Sequence, residues 1–283
     1  MKMKRFATVL MAAAMTLSLA ACGSTGASSG SASGSASASA SGSAASSAAG
    51  SDKAYVQDKG TLVVGITEFE PMDYQDANGE WIGFDADLAK AFAQSLGVEA
   101  QFQVIDWDAK IMELDGKTID VVWNGMTLTD DVKNAMECSQ PYLINQQVVV
   151  VPADKADQYQ TKDSLSALSF AVEVGSAGAE AAAANGYSAT EVADQATALL
   201  EVSSGTADAA IIDSLMAGAM IGEGTSYADL TSTVGLTSEE YGVGFRKGSD
   251  LAAALNEFLD GKYTDGSIQT LAETYGVQDA LAK

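Results

Sequence analysis

Thr61-Leu62-Val63-Val64-Gly65-Ile66 is the stretch on which the fold turns: a short uncharged run, too brief for a helix of ordinary length and suited to a buried strand. Downstream, Leu88, Phe92 and Leu96 recur at four-residue spacing on the inward face of a helix that Asp85 is expected to cap and Gly97 to close. Residues 100–105 alternate as a second strand, Ile111 and Leu114 share a short helix, and Ile119-Asp120-Val121-Val122-Trp123 reads as a third strand. Strands alternating with helices in this order predict βαβ units and a parallel sheet.

The pattern then restarts. Residues 148–151, 170–174 and 209–212 read as strands, separated by helical stretches around 179–184 and 196–202, which predicts a second α/β lobe. After it come Gly242-Val243-Gly244-Phe245 and two helices, over 251–259 and near 268–275. No third sheet is available to them, so they are expected to return to the first lobe. The expected division is 53–145 for lobe 1, 146–240 for lobe 2 and 241–283 for the return.

Ahead of the first strand, a basic start (Lys2, Lys4, Arg5) is followed by an apolar run over 6–21 that ends Leu19-Ala20-Ala21-Cys22. That order reads as a secretory signal over 1–21, too short and wrongly flanked for a membrane-spanning helix. The small residues leading to Cys22 resemble the lipobox of bacterial lipoproteins, which implies a lipidated Cys22 and attachment to a membrane outside the cytoplasm. Two acyl chains, at ~0.8 kcal/mol per buried methylene, anchor stably where one does not. Residues 23–51 are only Gly, Ser and Ala with a single Thr25. Such a tract has nothing to offset the entropy of ordering, and 22–52 is expected to be a flexible tether reaching roughly 30 Å.

The formal charge is −23, and removing the leader takes away three basic residues and no acid. A surface of this sign repels nucleic acid and anionic lipid. Cys138 is the only other cysteine and there is no histidine, so neither an intramolecular disulfide beside a lipidated Cys22 nor a zinc constellation is expected. No cofactor is expected, and a monomer is.

Four segments, in order, carry a resemblance: Gly79-Glu80-Trp81-Ile82-Gly83-Phe84-Asp85-Ala86-Asp87-Leu88-Ala89; Leu114-Asp115-Gly116-Lys117-Thr118-Ile119-Asp120-Val121; Gly125-Met126-Thr127-Leu128-Thr129 with Pro141-Tyr142; and Gly205-Thr206-Ala207-Asp208-Ala209-Ala210-Ile211-Ile212-Asp213. From Tyr55 onward the chain resembles the bacterial extracellular solute-binding proteins of polar amino-acid ABC importers (family 3). The resemblance implies a type II periplasmic-binding-protein-like fold: two lobes, each a mostly parallel sheet flanked by helices, joined by two hinge strands and closing on a ligand. The crossings would fall near 143–147 and 239–244. It also implies a membrane permease as partner and a small polar nitrogenous solute, an amino acid or an amine, as ligand.

In open parallel sheets ligands sit beyond the carboxyl ends of the strands. There, Phe69 and Trp107 match the family's two aromatics that sandwich the ligand, and Trp123 is a further flat surface that core packing would use equally well. Asn124, Gly125, Met126 and Thr127 match the polar loop that meets the ligand, Ser176 lies in the facing turn, and Asp213 matches the carboxylate that grips the α-ammonium. Thr129 is read as a helix cap, with Asp130 and Asp131 in the favourable first turn. Glu68 and Glu173 add two acids near the cleft.

The departures matter. The run Thr129-Asp130-Asp131-Val132 puts Val132 where the family has an Arg in bidentate contact with the α-carboxylate, and Ala177 stands where a Thr is usual. Helix N-terminal amides near 127–130 or 176–178 remain as anion sites, whereas Lys133 is turned about 100° away on the helix. Two ligand classes therefore stay open: an amino acid held differently, and an amine with a weak or missing carboxylate. A sensor presenting its ligand state to a membrane receptor would use the same cleft. A small-acid dehydratase on this fold would need anion grips and a general acid, leaving it only Glu68, Glu173 or Asp213.

Overall fold

The computed structural model describes residues 50–283. Cys22, the leader and the tract through position 49 lie outside the described residues. The chain begins with α1 (Asp52–Lys59), β1 (Thr61–Ile66), a small hairpin of β2 (Tyr74–Gln75) and β3 (Trp81–Ile82), α2 (Phe84–Leu96), β4 (Glu99–Val104), α3 (Lys110–Asp115), β5 (Val121–Thr127), α4 (Asp130–Ala135) and β6 (Glu137–Cys138). It continues through β7 (Leu143–Asn145), β8 (Gln147–Pro152), β9 (Ser169–Glu173), α5 (Ala177–Asn185), β10 (Ser188–Val192), α6 (Gln195–Ser204), β11 (Ala209–Asp213), α7 (Ser214–Met220) and β12 (Leu230–Gly235). It closes with β13 (Glu239–Phe245), α8 (Leu251–Thr264) and α9 (Ser267–Tyr275).

Two sheets result. The first has the order β4-β1-β5-β13-β6 with β7 also on β13, and the second β10-β9-β11-β8-β12. Each holds three parallel strands (β4, β1, β5 and β10, β9, β11), but β13 in the first and β8 and β12 in the second run antiparallel to their neighbours. The sheets are thus mixed rather than mostly parallel. The parallel strands run toward the gap between the lobes, while β8 and β13 enter their sheets from that gap and must run the other way. Only Gln146 separates β7, in the first sheet, from β8, in the second. The last two helices pack on α2, and α8 also on β13, beside the first sheet.

Local chemistry differs from the sequence reading at two helices. Asp85 does not cap α2: Gly83 holds that position without a side-chain bond. Asp85 is fully buried in the first turn, and its Oδ2 accepts from the Gly125 N–H (2.7 Å) and the Tyr142 hydroxyl (2.7 Å). Asp52, the last residue of the expected 22–52 tether, opens α1, capped by the Ser51 side chain. Thr129 does cap α4, its hydroxyl accepting from the Val132 N–H.

Candidate functional site

A cavity of about 440 Å³ lies between the two sheets, walled by residues at or just beyond the carboxyl ends of β1, β4 and β5 on one side and of β9 and β11 on the other. Phe69 and Trp107 line it as the aromatic walls. Phe69 sits edge-on to Tyr241 with ring centroids 6.4 Å apart. Gly125 makes that placement possible: its φ is +55°, and a Cβ there would stand 2.5 Å from Phe69 Cε1. Gly125 and its neighbours Asn124, Met126 and Thr127 all line the cavity, as the last residues of β5 rather than as a loop.

Most polar groups of that wall are already engaged by the protein. Asn124 accepts from the Thr67 N–H and hydroxyl (2.9 and 2.7 Å) and donates to the Thr67 carbonyl and Asp73 (3.0 and 2.8 Å), which uses its full capacity. The Gly125 N–H is taken by Asp85, and the Thr127 hydroxyl donates to Glu239 at 2.9 Å. Ser176 lines the cavity as the cap of α5, donating to the Glu173 carbonyl at 2.7 Å and accepting from the Ala179 N–H at 3.2 Å. These residues therefore shape the wall more than they offer free groups to it.

Two expected site residues lie elsewhere. Trp123 is fully buried, packed against Phe92 and Tyr142 with centroids 6.2 and 6.5 Å away, and has no face on the cavity. It sits two residues before Gly125, and alternation along β5 does not decide exposure here because both faces of the strand are covered. Glu68 is exposed and outside the lining, since the chain turns after β1 and presents Phe69 inward instead.

On the second lobe, Glu173 and Asp213 both line the cavity and are buried. Asp213 Oδ1 accepts from Gln147 (2.7 Å) and from Asn145, Oδ2 accepts from Gln195, and the Asp213 N–H donates back to Gln195 at 2.8 Å. Burial, then the charge of Glu239, raises Asp213 to about 7. Among the described residues Glu173 Oε1 finds no hydrogen-bond partner, and burial followed by the charge of Asp213 raises this carboxyl to about 8. Asn145 and Gln147 also donate to Glu239 (2.8 and 2.7 Å), so amides at the crossing between the sheets tie the site carboxylate to the hinge strand β13.

Sequence reasoning missed Gln195, which orients Asp213, and Lys110, which lines the cavity with Asp131, Glu180 and Glu191. Lys110 is three positions after Trp107, the spacing that places two side chains on one face of a helical turn. That signal was readable, but a lysine defaults to solvent. Val132 is buried among apolar neighbours and also lines the cavity, while Lys133 is exposed and outside it.

Among the described residues no group of three or more His, Cys, Asp or Glu side chains has metal-site geometry, and no helix is long and apolar enough to cross a membrane. The chain is 30% identical to the L-cystine-binding protein TcyJ of Escherichia coli over 224 residues, covering 78% of this chain and 84% of that one. It is 28% identical to the arginine-binding extracellular protein ArtP of Bacillus subtilis over 282 residues, 96% and 98% of the two chains. Among solved structures, an ABC uptake transporter substrate-binding protein from Streptococcus pneumoniae with bound histidine superposes with a TM-score of 0.76 at 28% identity, covering 83% of this chain and all of that one. The model of the bacterial extracellular solute-binding proteins, family 3, matches residues 62–278, and the chain belongs to that family.

Proposed function

We propose that this protein is the substrate-binding component of an ABC importer, capturing an amino acid or a related amine-bearing solute between its two lobes and delivering it to a membrane permease. The observation that carries the reading is the cavity between the sheets: two aromatic walls, Phe69 and Trp107, and a preset carboxylate, Asp213, at the carboxyl ends of strands from both lobes. Aromatic faces accept the flat or apolar part of a solute and favour a cation over their faces. Asp213, held on both oxygens by side-chain amides, meets an ammonium without reorganising. The relatives named above are a cystine-binding protein, an arginine-binding protein and a substrate-binding protein with bound histidine. Nothing in the cavity requires the protein to perform chemistry on what it holds.

Isothermal calorimetry of the purified protein with L-arginine, L-histidine and L-cystine tests the reading, with Asp213→Asn as control. Binding of at least one of them, lost in the variant, is expected. An ionic hydrogen bond removed from a desolvated site costs several kcal/mol. Absence of binding to all three, and to a wider panel of amino acids and amines, would overturn it.

The protein also works tethered to a membrane through Cys22 in this reading, because the leader ends on small residues and a cysteine that has no partner nearby in sequence. Cys22→Ser is expected to release the protein or leave its leader uncleaved in cell fractionation. Unchanged processing and membrane retention would refute the anchor.

A further inference from the structure

The cavity is lined by five carboxylates, Asp131, Glu173, Glu180, Glu191 and Asp213, and by one cationic side chain, Lys110. The position at which the family resemblance implies a cation for the ligand's carboxylate is Val132, buried with Trp107, Met126 and Leu128 in an apolar cluster where no charge can be placed without cost. Lys110, by contrast, is 7% exposed and sits at the seam between the lobes. Its Nζ donates to the Trp107 carbonyl at 3.1 Å and to the Gly175 carbonyl of the facing lobe at 3.0 Å, and lies 4.6 Å from the centroid of the Trp107 ring.

Those two carbonyls use two of three ammonium hydrogens. Among the described residues no carboxylate oxygen comes within 4.0 Å of this nitrogen. A desolvated ammonium held only by two carbonyl dipoles and an aromatic face is an unfinished site, because burying a charge is costly until a counter-charge joins it. Burial holds the Lys110 pKa below the ordinary lysine value, opposed by the charges of Glu173, Asp108 and Glu180. Glu173, the strongest of these, is itself pushed up to about 8 by burial and so is mostly uncharged at neutral pH.

Resting on the reading of the cavity as an amino-acid site, we propose that Lys110 holds the ligand's α-carboxylate, replacing the cation that position 132 lacks. The ligand is then a zwitterion spanning the cavity, its ammonium on Asp213 and its carboxylate on Lys110, rather than an amine without an acid group. The same contact draws the lobes together, since Lys110 already reaches the second lobe at Gly175.

Calorimetry with matched pairs tests this: L-arginine with agmatine, L-histidine with histamine, and L-cystine with cystamine, on wild type, Lys110→Met, Lys110→Gln and Lys110→Arg. The wild type is expected to favour the amino acid of whichever pair binds by roughly 10- to 100-fold, the range for one hydrogen bond to a charged group. Lys110→Met and Lys110→Gln should lose that preference while still binding the amine, and Lys110→Arg should retain most of it. Lys110→Gln keeps a donor for the Gly175 carbonyl, so it separates charge from lobe contact and covers the case in which the Met variant does not fold. If wild type binds both members of a pair equally, or if the neutral variants lose both members by the same factor, Lys110 is a lobe contact only and the assignment fails while the cavity remains a binding site. If none of the six compounds binds wild type, and no member of a wider panel of amino acids and amines does, the amino-acid reading itself falls and the assignment with it.

Discussion

Glu173 illustrates how much one side chain in this protein carries. It lies in the cavity wall with an oxygen that has no partner, 3% exposed, and its carboxyl is raised from 4.5 to about 8, first by burial and then by Asp213. Proton counts set the sign of its effect. Between about pH 4.5 and 8 the folded protein keeps a proton here that the unfolded chain has released, so stability falls as pH rises through that window and levels off above it. Replacing Glu173 with Gln removes this slope. In the absence of added ligand, Glu173→Gln is expected to stabilise by on the order of 3 kcal/mol more at pH 8 than at pH 5, read by thermal unfolding at both values. An equal effect at the two pH values would show that Glu173 ionises freely. Glu173 was legible in the sequence as an acid before a Gly-Ser turn, whereas its missing partner was not, because solvation is a property of what packs around the residue.

At the scale of elements, legibility tracked burial. The strands covered on both faces, β1, β5, β8, β9 and β11, announce themselves as apolar runs. The exposed edge strand β10, Ser-Ala-Thr-Glu-Val, and the polar helix α1, which buries only Asp52 and Val56, carry no such pattern. Beyond the buried Val56, what holds α1 is an ion cluster. Arg246, 8% exposed at the end of β13, donates to Asp52 (3.0 Å) and to the carbonyls of Leu114 (3.2 Å) and Ile119 (2.9 Å), and lies 3.5 Å from the fully buried Asp120. The cluster joins α1, α3, the start of β5 and the returning strand. Among the described residues, Arg246→Met would leave the Asp120 carboxylate with only Lys59 as a side-chain counter-charge, so a loss of about 3–5 kcal/mol in denaturant unfolding is expected. Adding Asp120→Asn should cost less than the sum of the two single changes. Strict additivity would mean that the charges are solvated and the cluster contributes little.

For the whole molecule, the decisive contact is between lobes. Gly175 follows β9 with φ +66°, and a Cβ on it would come within 2.9 Å of Asp108 Cβ and 3.0 Å of Asp108 Cα across the cavity mouth. Gly175→Ala is therefore expected to hold the lobes apart. It should weaken binding by roughly tenfold, about 1.4 kcal/mol, and raise the radius of gyration measured by small-angle scattering at saturating ligand. The left-handed backbone adds about 1–2 kcal/mol of strain, so the melting temperature without ligand should fall by only a few degrees. An unchanged affinity and radius would mean that this contact is not part of the closed arrangement. Taken alone, the sequence determined the alternation of strands and helices and the two α/β lobes, because apolar periodicity and chain order are local information, and its resemblance to the family pointed to Phe69, Trp107, the run 124–127 and Asp213 in the cleft. Only the tertiary structure decided that Trp123 is core, that Asn124 and Asp85 spend their polar groups inside the protein, and that Lys110 stands in the cavity. Those outcomes depend on which groups distant segments bring within hydrogen-bond reach, and no spacing along one segment encodes that.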